Sequence, residues 1–163
     1  MMRPATEFER VHATALALGG KAALIRGSSG VGKSDLALRC IAAPPLAHVP
    51  HRAELVADDQ VELRQTFDGI EVSAPPAIAG KLEVRGLGVL ELPYCASARL
   101  ALVIDLVAPE DVPRYPLEEI TTIFLGHAVP TLRLSAFEAS APPKVVLALA
   151  AASDVLAPPR SVG

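Results

Sequence analysis

Residues 27–35 read Gly-Ser-Ser-Gly-Val-Gly-Lys-Ser-Asp, and no other stretch limits the fold of this chain so tightly. Glycine, four residues, then glycine, lysine and serine is the spacing of a phosphate-binding loop. Such a loop works between a buried strand and a helix. Its glycines let the backbone turn sharply enough to aim several N–H groups at phosphate oxygens, and the following helix adds the positive end of its dipole. Both flanks are present. Residues 22–27, AALIRG, are a short apolar run that reads as a buried strand. Residues 34–43, SDLALRCIAA, are helix formers with Leu36 and Cys40 on one face, and Pro44 and Pro45 stop that helix. Gly27, Ser28, Ser29, Gly30, Val31, Gly32, Lys33 and Ser34 are therefore expected to wrap a phosphate. Lys33 supplies a point charge to the outer phosphates, and Ser34 a hydroxyl to Mg²⁺.

The remaining pattern predicts a mixed, strand-rich α/β domain. Residues 54–59, ELVADD, form a second buried strand that ends in two carboxylates. Residues 61–67 and 70–74 form a hairpin around Asp68-Gly69. Residues 81–92 hold two short strands around Arg85-Gly86-Leu87-Gly88, and residues 98–107 are a long apolar strand expected at the centre of the sheet. Residues 121–126 and 128–134 are extended, and residues 142–152 are a helix with proline in its first turn. No element is assigned before Ala22. The 163 residues suit one domain, and with no tryptophan and only 4% aromatics the core must be aliphatic.

Several classes of function are disfavoured. A net charge of -3 offers no sign of a nucleic-acid surface. No segment reaches the ~20 apolar residues of a membrane span, and the first residues lack the apolar run of a signal peptide. Cys40 and Cys95 show no metal-ligand spacing and read as reduced thiols. A cytoplasmic protein without nucleic-acid or membrane partners is the expectation.

Asp58 and Asp59 stand where a buried strand leaves the core, the place at which a carboxylate holds the metal in phosphate-loop proteins. A second carboxylate there allows one group to hold Mg²⁺ while the other takes a proton from an attacking hydroxyl. Arg85 is a candidate for neutralising charge on a transferring phosphoryl group. His12, alone on its spacing, reads more readily as a structural or surface histidine than as a catalytic one. These residues leave three readings open: a kinase with a protein acceptor, a small-molecule kinase or NTPase, and a non-catalytic ATP-binding regulator of a partner. The paired carboxylates favour catalysis, because a sensor needs only one metal-holding group.

Three stretches together resemble one family, the catalytic domain of HPr kinase/phosphorylase. GSSGVGKSD resembles its loop, with Asp35 where glutamate is usual. LVADDQVEL, residues 55–63, resembles its double-aspartate strand end. LEVRGLGVLEL, residues 82–92, resembles its Arg-Gly-Leu-Gly signature, with Glu91 where aspartate is usual. His12 falls where the family carries a histidine upstream of the loop. The resemblance implies a P-loop-containing mixed sheet with flanking helices and a nucleotide site like that of PEP carboxykinases. It implies ATP and Mg²⁺ as cofactors and phosphorylation of a serine on HPr, the carrier of the sugar phosphotransferase system. It also implies phosphorolysis, in which phosphate attacks the phosphoserine and pyrophosphate leaves. Asp58 is implied as the base and Asp59 as metal support, two roles that can be exchanged. Asp35 is implied near the metal, and His12, Arg85 and Glu83 at the phosphate site. Two departures stand out. The chain resembles the compact alphaproteobacterial form, a single domain over 1–163 without the family's N-terminal domain. The usual C-terminal arginine motif is replaced by residues 129–144, where Arg133 is the candidate substitute. A homo-oligomer, hexameric in the family, is the implied assembly.

Overall fold

The computed structural model describes residues 8–115 and 118–152. Both ends of the expected domain, and the C-terminal apolar run beyond Ala152, lie outside the described residues. In chain order the elements are β1 (Phe8–His12), β2 (Thr14–Leu18), β3 (Lys21–Arg26), α1 (Lys33–Ala42), β4 (Glu54–Ala57), β5 (Gln60–Thr66) and β6 (Gly69–Ser73). There follow β7 (Lys81–Val84), β8 (Gly88–Glu91), β9 (Ala98–Leu106), β10 (Ile120–Phe124), β11 (His127–Leu134) and α2 (Ala141–Ala152). Every element expected from the sequence is present, with ends shifted by a residue or two. The additions are the strands β1 and β2 and single turns of 3-10 helix at Pro76–Ile78 and Pro109–Asp111. All five residues of β2 are buried, and it turns into β3 through Gly19-Gly20, both at positive φ (58° and 83°). Two glycines at positive φ make the tight turn that matches the twist of paired strands.

Nine strands form one sheet, while β7 and β8 pair separately. The long β9 is central. It runs parallel to β3 on one side; on the other it meets β6 at its start and runs parallel to β11 at its end. The strand β2 lies antiparallel to both β3 and β4, so β3 and β4 point the same way. The carboxyl ends of β3, β4, β9 and β11 and the beginning of β2 therefore share one edge of the sheet. Ligands of open α/β sheets bind outside such an edge.

Both sheet faces are buried, which is why β2 and β3 read as continuous apolar runs rather than alternating ones. Leu16, Ile25, Leu102 and Ile104 pack against Leu36 and Cys40 of α1 and Val145 and Leu149 of α2. The opposite face of the same strands, with Ala15, Leu24 and Val103, meets Val61, Leu63, Val72, Phe124 and Val129 as the sheet curls over itself. Each fully buried Leu or Ile contributes about 1.5–3 kcal/mol relative to exposure. The β7–β8 hairpin is anchored by fully buried Leu82. Its base is tied to β4 by the Cys95 N–H donating to Leu55 O at 2.8 Å. No helix among the described residues is long and apolar enough to cross a membrane.

Candidate active site

The loop after β3 is built as its spacing predicts. Gly30 and Gly32 take φ of 81° and 105°, a region closed to most side chains. The Val31 N–H donates to Ser28 O at 3.1 Å, and the Leu36 N–H opens α1 by donating to Gly32 O at 2.9 Å. Gly32 caps the helix without a side-chain bond, so the first N–H groups of α1 have no intrahelical partner. Lys33 is buried, and its Nζ donates to Gly27 O (2.7 Å) and Ser28 O (3.1 Å). An ammonium carries three donors, so one remains to meet an anion at the loop. Positive φ, uncapped N–H groups and a buried cation together fit a bound phosphate.

The two carboxylates after β4 occupy unlike surroundings. Asp58 is only 7% exposed. Its Oδ1 accepts from Thr14 Oγ1 (2.9 Å) and Ser34 Oγ (2.7 Å), and its Oδ2 accepts from the Glu83 N–H (3.3 Å). Ser34 Oγ and Asp58 Oδ1 thus present two adjacent oxygens beside the phosphate loop. They fit Mg²⁺, which takes few protein oxygens and completes its shell with water and phosphate. Asp59 faces solvent, its side chain 71% exposed, and lies 3.0 Å from His12 Nε2. Its φ is 69°, a left-handed conformation that aspartate tolerates better than most residues. The bend is fixed by the Gln60 N–H donating to Asp58 O (2.8 Å) and the Ala13 N–H donating to Asp59 O (3.2 Å). It sends the two side chains of neighbouring residues into different environments.

The other expected residues divide. Glu83 reaches the site through its backbone N–H, and its side chain is exposed. Arg85 is exposed in the β7–β8 turn, where the Leu87 N–H donates to Val84 O at 2.9 Å over Gly86 at φ 91°. Asp35 is bound to Arg39 at 2.9 Å, one helical turn on, instead of to Ser34 or Asp58. Arg133 is exposed on β11 in register with Asp105 of β9, on the far side of β3 from the two carboxylates. Residues not singled out from the sequence also shape the site. Thr14 orients Asp58, and the Thr-Ala-Leu alternation after His12 was its only sequence signal. Arg39 donates to Ala136 O and, at 3.4 Å, to Glu138 O, tying α1 to the β11–α2 connection. Arg26, just before the loop, forks onto Asp105 at 2.8 and 3.0 Å.

Residues 4–155 match the family model described as the HPr Serine kinase C-terminal domain. The chain belongs to that family. It is 40% identical over 127 residues to the HPr kinase/phosphorylase of Bordetella pertussis, covering 71% of this chain and 39% of the relative. It is 40% identical over 107 residues to HPr kinase/phosphorylase 1 of Oceanobacillus iheyensis, covering 61% and 32%. The solved Hpr(Ser) kinase/phosphatase of Coxiella burnetii superposes with a TM-score of 0.72 at 26% identity, covering 91% of this chain and 92% of that one. The chain spans about two fifths of the length of the Bordetella relative. HPr kinase membership accords with the curled, mixed sheet and the helices packed on it.

Proposed function

We propose that this HPr kinase domain is an ATP- and Mg²⁺-dependent protein-serine kinase acting on an HPr-type phosphocarrier. One observation carries the reading: Ser34 and buried Asp58 share a 2.7 Å hydrogen bond while exposed Asp59, backed by His12, stands one residue away. That supports an order of roles exchanged from the one the resemblance first suggests. Asp58 and Ser34 hold Mg²⁺, and Asp59 is the base. A serine on a folded carrier can reach Asp59, which faces solvent, more readily than it can reach Asp58. Bound Mg²⁺ supplies charge neutralisation on the phosphates.

The protein's own steps follow. The loop N–H groups and Lys33 hold the nucleotide phosphates. Asp59 takes the proton from the carrier serine hydroxyl as its oxygen bonds to the γ-phosphorus and the bond to the β-phosphate oxygen breaks, leaving ADP. His12 orients Asp59, and Arg85 is the candidate partner for phosphoryl charge; Arg133, on the far side of β3, is not placed for that role. In phosphorolysis an oxygen of hydrogen phosphate bonds to the phosphoserine phosphorus as the bond from phosphorus to the serine oxygen breaks. Pyrophosphate is the product, and Asp59 passes the proton given up by the attacking phosphate to the departing serine oxygen. A homo-oligomer is part of this proposal. A general base contributes roughly 10²–10⁴ in rate, so Asp59→Asn should lose transfer by that factor while keeping ATP. The test is transfer of γ-labelled phosphate from ATP to an HPr-type carrier, then addition of phosphate and a search for pyrophosphate. Bound ATP with no label on any carrier serine would overturn the kinase reading.

A further inference from the structure

The residue that stands out beyond these roles is Phe137, in the connection from β11 to α2. It is 70% exposed in a chain without tryptophan, yet the tip of its ring rests on the phosphate loop. A Cβ built on Gly32 would lie 2.9 Å from Phe137 Cζ and 3.2 Å from Cε1. One end of the ring is therefore seated against the loop while the rest meets water.

The connection is held on both sides of that ring. Ser135 and Ala136 are buried. Arg39 donates to the carbonyls of Ala136 and Glu138, and Asp35 steadies Arg39 at 2.9 Å. Glu138 is fixed in turn by Lys144 at 2.7 Å. This gives Asp35 a use distinct from metal binding: it braces the arginine that places Phe137. Topology supplies the direction. The metal-holding oxygens of Ser34 and Asp58 lie toward β4, so the outer phosphates lie on that side of β3. The rest of a nucleotide must extend the other way, beyond the ends of β9 and β11, where the Phe137 connection begins.

We propose that Phe137 is the platform on which the base of the bound nucleotide stacks. The inference rests on the nucleotide-binding reading above. Every base offers a flat π-face, and an aromatic side chain already held in place binds it without ordering a mobile loop. The test uses the full chain and measures binding of MgATP and of Mg-tripolyphosphate, which has the phosphates but no base. Wild type, Phe137→Ala and Phe137→Tyr are compared. We expect Phe137→Ala to weaken ATP roughly ten- to a hundredfold, to leave tripolyphosphate within about twofold, and Phe137→Tyr to retain ATP. Unchanged ATP affinity in Phe137→Ala, or equal loss of both ligands, would overturn the platform while leaving the nucleotide reading intact. A wild-type protein that binds neither ligand would overturn both.

Discussion

Asp58 and Asp59 are adjacent in sequence, and the structure separates what their removal should do. Asp58→Asn keeps the shape and removes the charge. In one orientation the amide oxygen still accepts from Thr14 and Ser34, but its NH₂ then faces the Glu83 N–H, two donors in opposition. In the other, the oxygen serves Glu83, and the NH₂ displaces the hydroxyl protons of Thr14 and Ser34, one of them fully buried. Either arrangement breaks one good contact in a buried place and turns charge-assisted bonds into neutral ones, a loss of about 1–3 kcal/mol. The same change at Asp59 touches a side chain that is 71% exposed and pairs with an exposed histidine. Such a pair is worth about 0–1 kcal/mol, and asparagine tolerates the same left-handed backbone. The expected pattern is therefore crossed. Asp58→Asn unfolds at lower urea and loses the Mg²⁺-dependent part of its ATP affinity. Asp59→Asn unfolds almost as wild type and binds MgATP, but transfers phosphate roughly 10²–10⁴ times more slowly. Urea melts, calorimetric titration of ATP with and without Mg²⁺, and label transfer read the three quantities. The reasoning fails if Asp59→Asn loses the Mg²⁺ effect while Asp58→Asn keeps both the Mg²⁺ effect and full stability.

Gly32→Ala should destabilise the fold by about 2–4 kcal/mol, from left-handed strain and overpacking against Ala136 and Phe137; Gly30→Ala, with open space around it, should cost only the strain, and urea midpoints compare the two. Burial pushes the Cys40 thiol up to about 12, against the pull of neighbouring Arg39. The neutral thiol is the form the fold accepts, so this contribution is complete below the ordinary thiol range and falls as pH climbs toward about 12. A urea-midpoint profile at alkaline pH should show a decline that is shallower in Cys40→Ala, and a thiol reagent near neutral pH should modify Cys95 in the native protein but Cys40 only after unfolding. Arg39→Ala removes the tie between α1 and the β11–α2 connection and should destabilise by about 1–3 kcal/mol, with faster amide exchange around residues 135–138.

What could be read from the sequence follows from how local its causes are. The loop from Gly27 to Ser34 depends on glycine placement and flanking propensity, both visible in nine consecutive residues, and it stands where expected. The same holds for β9, whose apolar run is long enough to mark a central strand. The β5–β6 hairpin also forms, but its turn falls on Phe67-Asp68, one residue before the expected Asp68-Gly69 pair, and Gly69 opens β6 opposite Thr66. The strands β1 and β2 are not assigned from the sequence: β1 is mostly exposed and carries no apolar run, while β2 is a five-residue apolar run like β3 but lacks a recognisable loop motif after it, and the Gly19-Gly20 pair was the available clue. Long-range geometry was out of reach. That Thr14 reaches Asp58 across 44 positions, or that Arg39 holds a connection 97 residues away, follows from strand order, which no local pattern encodes. The division between Asp58 and Asp59 shows the limit most sharply. Their side chains are one atom type in one motif. What parts them is a single left-handed residue, fixed by backbone bonds from Gln60 and from Ala13, which joins two strands the local pattern did not reveal. Identity of side chain sets what a carboxylate can do, and the turn beneath it decides which of those things it is placed to do.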